Sequence, residues 1–321
     1  SRFKEYSMRT IIISLFNIII VTILFLFNFR DYKIYIILIV TSNFIILFWY
    51  LVTYKKISFG KSQNIKLINT EILSIFRNGI PLLLSNLAIT LVLMIDKQFV
   101  ELNFPLTDFS IYSFAFSMLS LITVFISAIG IVLYPILKKT DNKNIKKNYT
   151  LLNRLVLVFM AFGIIIYFPM KWFIPIFLPD FSRSINIFKF ALPGLVLSSS
   201  ITVVKHNFYK ISNKNTLFFA TSSIIIFVIL IMNFFAYRFF GTLESIALSS
   251  FFGLLIWYIL TEMYMYYKFK IQWKLNSIFL FFSLILFFLL SSFNNFLLGG
   301  ILYAIYSTFL LAIVIKGTIS V

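Results

Sequence analysis

Residues 79–101 read GIPLLLSNLAITLVLMIDKQFVE. The stretch is apolar for most of twenty residues, the length an α-helix needs to cross the hydrocarbon core of a bilayer. It opens on Gly79 and Pro81 and closes on the charged step Asp96-Lys97. Its middle carries Ser85, Asn86 and Thr90. A helix that only had to sit in lipid would need none of them. At 100° per residue, Gly79, Asn86, Thr90 and Lys97 fall along one line, with Ser85 and Asp96 on the adjacent line. Two uses fit such a stripe. The polar groups can bond neighbouring helices and mark the outer interface, or they can line a water-filled cavity; the alignment favours the cavity.

The whole chain behaves like this stretch. Of its 321 residues, 61% are hydrophobic, 20% aromatic and 12% charged. Ordinary soluble domains are about one quarter charged. The composition therefore predicts an all-α, polytopic membrane protein, since open sheets leave unpaired backbone groups in lipid. Ten candidate spans follow, at 10–29, 34–54, 79–97, 109–137, 150–170, 186–205, 216–237, 243–267, 277–293 and 297–315.

Charge tests that count. With residues 1–9 and 316–321 on one side, that side carries 21 of the 28 lysines and arginines. The opposite side holds Arg30, Lys33, Lys97, Lys171, Arg183, Lys189 and Arg238. A wrong number of spans would scramble this split. The positive-inside rule makes the basic side cytoplasmic. The net charge of +18 is thus mainly a topology signal, attractive to anionic headgroups and no argument for nucleic acid.

Three segments interrupt the rhythm, of which residues 138–148 read as a solvated cytoplasmic loop. Residues 55–78 place Ile65, Ile68, Ile72 and Phe76 near helical spacing among charges. They predict an amphipathic linker helix on the cytoplasmic leaflet. Residues 171–185 form the largest feature on the other side, where Pro175 and Pro179 are expected to break helix.

Polar residues recur inside other spans. Ser113, Ser117, Ser120 and Ser127 read as close packing more readily than as substrate contacts, and Ser245, Ser249 and Gly253 read as packing. In the sixth span, Ser198, Thr202, Lys205 and Tyr209 share a face, and Pro193-Gly194 is a hinge candidate. His206 reads as an interfacial residue at the cytoplasmic end. Lys189, near the outer end, can snorkel to headgroups or offer a cation to an anionic substrate.

Several chemistries are excluded. Without cysteine and with one histidine, thiolate sites and multi-histidine metal sites cannot form. The outer loops hold Asp31, Asp96, Glu101, Asp108, Asp180 and Glu244, with no tight carboxylate pair. There is no phosphate-binding glycine loop, nucleophile elbow, selectivity filter or voltage-sensor arginine series. A bundle with lined interior stripes remains, which points to a transporter.

The stretches RNGIPLLLSNLAITLVLMIDKQFV and FSIYSFAFSMLSLITVFISAIGIVLYPILKK resemble the opening of the second half of Wzx-type polysaccharide flippases of the MOP (MATE-like) superfamily. The likeness rests on Gly79 and Pro81, Asp96-Lys97, Tyr112-Ser113 and Pro135. FLPDFSRS and YRFFGTLESIALSSFFGLLIWY add to it, with departures at Ser110, Leu243 and Glu244. The resemblance implies a two-lobe transporter. Residues 1–54 would hold the last two helices of the first lobe, 55–78 a linker, 79–268 a six-helix second lobe and 269–321 an additional helix pair. The chain begins SRFKEYSMRT and is expected to lack four preceding helices, so that it would not transport alone.

The implied function is movement of an undecaprenyl-pyrophosphate-linked oligosaccharide from the inner to the outer leaflet of the bacterial cytoplasmic membrane by alternating access. Lys97, Lys189, Lys205 and Arg77 are the expected cations of the cavity. Asn86, Thr90 and Ser198 would bond sugar or line the path, and Asp96 would pair with Lys97 or take part in coupling. No cofactor is expected beyond a coupling proton or sodium ion. The expected partners are the lipid-linked oligosaccharide, membrane lipids and the polysaccharide polymerase machinery. A cation-coupled exporter of small amphipathic molecules is the alternative; a membrane-embedded glycan-modifying enzyme, which would need an essential carboxylate or His206, ranks below it.

Overall fold

The computed structural model describes residues 3–29, 31–55, 59, 65–138, 145–270, 274–293 and 295–319. Among them there is no strand. The chain divides into two compact units, Ser1–Ser74 and Ile75–Val321.

The first unit holds α1 (Phe3–Leu26) and α2 (Tyr32–Thr53), and helix α3 (Ile65–Asn103) starts within it. α1 and α2 pack as a pair. The buried Ser42 hydroxyl donates to Asn17 Oδ1 across it at 2.6 Å. The Asp31 carboxylate accepts from the Lys33 amide and caps α2.

The second unit continues with α4 (Leu106–Lys138), α5 (Ile145–Gly163), α6 (Tyr167–Phe177), α7 (Ser184–Ser199), α8 (His206–Ile211), α9 (Asn215–Phe239), α10 (Leu243–Phe269), α11 (Lys274–Ser291) and α12 (Phe296–Ile319). All ten expected spans are helical. Among the described residues, eight helical segments are long and apolar enough to cross a membrane. The other two, Thr10–Leu26 and Ile278–Ser291, are apolar but shorter.

Two spans are composite. A 3₁₀ turn, Ile164–Ile166, joins α5 to α6, so that the fifth span runs from Lys146 to Phe177. Pro175 lies inside α6 and does not break it. A proline costs a helix one amide donor and a ring clash, and near a C-terminus few turns depend on that bond. The break comes after Phe177, where Pro179 starts a single 3₁₀ turn.

The sixth span departs further from the sequence reading. Pro193 sits within regular α7, and the irregular stretch is a π-helical segment, Ser200–Lys205, joining α7 to α8. This composite helix is the centre of the unit. Its hydrophobic window is 72% buried, against 6% for the window in α2. α4, α5 and α10 pack around it. The aromatic core beside α8 brings together Tyr149, Phe208, Tyr209, Phe218 and Trp257.

α9 and α10 pack at close range. A Cβ built on Gly253 would run into the Ile229 side chain, which would have to move to admit any larger residue. The Ser249 hydroxyl donates to Asn233 Oδ1 across the same seam. Ser249 and Gly253 thus pack helices, as their spacing suggests.

Candidate functional site: a polar cavity in the second unit

The stripe on α3 and the line beside it face different ways. Ser85, Ala88, Val92, Asp96 and Val100 are buried. Asn86, Thr90 and Met94 are exposed on the unit, and Lys97 is half-buried. The Thr90 hydroxyl bonds the Asn86 carbonyl of its own helix, and the Asn86 amide has no hydrogen-bond partner among the described residues. These two residues therefore do not bond a neighbouring helix. Ser85 does: its hydroxyl lies 3.1 Å from His206 Nε2.

At the end of α3 away from the lysine-rich loops, a cavity of about 360 Å³ opens between α3, α4, α7 and α10. Ligand pockets commonly measure about 300–1,000 Å³. Asp96 and Lys97 border it from α3, Ser117, Ser120 and Thr123 from α4, Ser198 from α7 and Ser250 from α10. Phe116, Phe190, Phe251, Leu254 and other apolar side chains make up the rest of the wall. A Cβ on Gly194 would touch a terminal methyl of Leu254, which would have to shift to admit it.

Asp96 is the one carboxylate in this wall. It is 5% exposed. The Tyr112 hydroxyl donates to its Oδ2 at 2.9 Å and the Lys97 amide to its Oδ1 at 2.8 Å. No lysine or arginine side chain among the described residues forms an ion pair with it. The Lys97 ammonium instead lies over the Phe109 ring, 5.6 Å from its centroid. Of the two uses expected of Asp96, the side-chain pairing with Lys97 is not formed: Asp96 meets the Lys97 amide, and the ammonium makes a cation–π contact.

Of the residues expected in the cavity, Asp96, Lys97 and Ser198 meet there. Asn86 and Thr90 lie deeper along α3, outside the wall, and Arg77 is exposed near the start of the span. Lys189 is turned away. It stands five residues before Gly194, about 140° around the helix, and its ammonium donates to Ser292 Oγ at 2.9 Å. Lys205 is fully buried in the core, where it pairs with Glu262 at 2.9 Å. The shared face expected for Ser198 and Lys205 is lost because the π-helical segment between them widens the turn and resets the register.

The sequence reading missed other members. Ser117 and Ser120, whose spacing reads as packing more readily than as substrate contact, both line the cavity. Their small size and period fit either use. Ser127's side chain lies outside the described residues. His206 is not interfacial: it is 2% exposed and stacks on Phe218, with ring centroids 4.5 Å apart.

These features define a class: a polytopic α-helical membrane protein with a largely apolar cavity carrying a few convergent polar groups. Comparison with known families covers part of the chain. Residues 1–141 match the family described as Polysaccharide biosynthesis protein, that of the Wzx-type polysaccharide flippases, and so bear out the resemblance over that part of the chain. No curated protein and no solved structure matches the chain.

Proposed function

We propose that the protein is a flippase for lipid-linked oligosaccharide, moving an undecaprenyl-pyrophosphate-linked glycan across the bacterial cytoplasmic membrane for O-antigen or capsule assembly. The observation that carries this reading is the wall of the cavity. Ser117, Ser120, Thr123, Ser198 and Ser250 offer neutral hydroxyls suited to sugar, beside a single lysine suited to phosphate. The match of residues 1–141 to a polysaccharide biosynthesis family supports the same substrate class.

The stripe on α3 supports a water-filled path. Asn86 lies near the middle of the Ile75–Asn103 span. An exposed, unbonded amide is costly at that depth in lipid and inexpensive in water. In this reading residues 79–268 act as one lobe of an alternating-access pair, with residues 1–54 belonging to the other. The lysine-rich side faces the cytoplasm. The lipid tail stays in the bilayer while pyrophosphate and sugar pass along the stripe. Delivery to a polysaccharide polymerase would follow.

One observation favours the second reading, a cation-coupled exporter of small amphipathic molecules. Asp96 is a buried carboxylate beside the cavity with hydroxyl and amide donors and no cation. A coupling proton or sodium ion would suit it in either reading. An enzyme gains no support here, because His206 bonds Ser85 in the core and does not line the cavity.

The test uses the whole protein in proteoliposomes loaded with a fluorescent polyprenyl-pyrophosphate glycan. Transbilayer movement should exceed that of protein-free vesicles. Export of a small organic cation with no movement of any lipid-linked glycan would replace this reading by the second.

A further inference from the structure

The polar side chains that border the cavity nearly all meet it as hydrogen-bond acceptors. The Ser117 hydroxyl donates to the Ser113 carbonyl at 2.9 Å, Ser120 to the Ser117 carbonyl at 2.6 Å and Ser198 to the Leu195 carbonyl at 3.1 Å. Thr123 donates to the Leu119 carbonyl at 3.0 Å, and Ser250 to Asn233 Oδ1 at 3.4 Å. A hydroxyl has one proton and two lone pairs. With the proton held by their own helices, Ser117, Ser120 and Ser198 turn oxygen lone pairs to a ligand, and donating to it would cost them that bond. Asp96 accepts from the Tyr112 hydroxyl and the Lys97 amide, and its remaining lone pairs act in the same sense.

Serine and threonine often bond back to their own helix. What sets this wall apart is how little in it donates. Its backbone amides belong to helical ladders, and its other side chains are apolar. Lys97 is the one cation among the lining residues. It sits near the end of α3, whereas Ser120 and Thr123 lie deeper along α4 and Ser198 near the inner end of α7. A phosphate held at Lys97 therefore leaves a compartment of hydroxyl oxygens and aromatic rings, with the Asp96 carboxylate beside it and no second cation.

We propose that this compartment is a subsite for an uncharged sugar, a neutral hexose or N-acetylhexosamine, and that Asp96 determines its preference against acidic sugars. The inference rests on the flippase reading, in which phosphate engages Lys97. Each hydroxyl or acetamido N–H of a neutral sugar finds an acceptor in the wall. The C–H faces of the ring pack on Phe116, Phe190 and Phe251, which border the same space. A uronic acid fails on two counts. Its carboxylate sets acceptors against acceptors, leaving both without partners. It also places a second negative charge beside Asp96 with no cation to balance it. Selection of this kind lies as much in what the wall refuses as in what it bonds.

The test is competition for binding to the full chain in detergent at mildly alkaline pH, against the fluorescent polyprenyl-pyrophosphate glycan. Three competitors differ at one carbon of the sugar: undecaprenyl-pyrophosphoryl glucose, the corresponding glucuronate, and the methyl ester of that glucuronate. Glucose should compete at least about tenfold more strongly than glucuronate, because a like charge and unmet acceptors both oppose the acid. The ester, uncharged but no smaller than the acid, should compete nearly as well as glucose. Asp96→Asn should narrow the gap by improving glucuronate. Ser198→Ala should weaken glucose about three- to tenfold, the loss of one acceptor. Equal competition by glucose and glucuronate would overturn the proposal. So would an ester as weak as the acid, which would make the preference one of shape, or a gap that Asp96→Asn leaves intact. The wild-type comparison needs no variant, so a misfolded Asp96→Asn leaves it decisive. A fluorescent glycan that does not bind at all would overturn the flippase reading and this inference with it; binding without preference overturns this inference alone.

Discussion

Two carboxylates sit at matching depths in opposite ends of the second unit. Asp96 is seven residues from the end of α3 and Glu262 seven residues from the end of α10, each about 10 Å in from its helix terminus. Both are 5% exposed, and both accept from a buried tyrosine. The difference is the company. Asp96 has a hydroxyl, an amide and a cavity; Glu262 has an ammonium, a hydroxyl and a cleft. A buried carboxylate beside a cavity can exchange partners with whatever enters. One locked to a lysine is part of the framework. The contrast puts a carboxylate open to new partners at the Asp96 end and a fixed ion pair at the Glu262 end.

The largest effect should come from splitting the locked pair. Lys205→Ala leaves a carboxylate with one donor in the core, and should lower stability by about 3–5 kcal/mol in denaturant titrations in detergent. Replacing both partners together, as Lys205→Met with Glu262→Leu, should recover most of that loss. Equal losses in the single and double variants would break the comparison. Next comes Tyr149→Phe, which removes a hydroxyl donated to a charged acceptor and should cost about 1.5–3 kcal/mol. Tyr112→Phe should cost less, about 1 kcal/mol, because water in the cavity can replace its hydroxyl at Asp96. A larger loss for Tyr112→Phe than for Tyr149→Phe would reverse the assignment. The smallest stability effect should be that of Asn86→Ala, within about 0.5 kcal/mol, since its amide bonds nothing within the unit. That variant should nonetheless slow movement of the lipid-linked glycan.

The same contrast explains what could be read from sequence. Each of the ten helices was visible because a run of about 20 apolar residues has one stable form in lipid. The seam at Ser249 and Gly253 was visible because small residues one turn apart let backbones meet. The stripe on α3 was visible because its geometry is set within a single regular helix. Lys205 was misplaced for the opposite reason. Its direction depends on the π-helical segment at Ser200–Lys205, which no proline or glycine marks. Lys189 points away from the cavity because it stands about 140° around α7 from Gly194. Glu262 was overlooked although it stands inside an apolar run, where an ionisable residue is itself a signal. Its pairing with Lys205, 57 positions earlier in the chain, is a fact of packing that no local pattern carries.

The central claim is that the cavity between α3, α4, α7 and α10 carries the substrate. The most direct measurement compares Lys97→Ala with Lys189→Ala in the proteoliposome assay of glycan movement, at equal reconstituted protein. Lys97 borders the cavity, and Lys189 is turned toward Ser292 on the far side of α7. Movement lost in Lys97→Ala and kept in Lys189→Ala is the predicted result. Movement kept in Lys97→Ala and lost in Lys189→Ala would contradict it and move the path to the other face of α7.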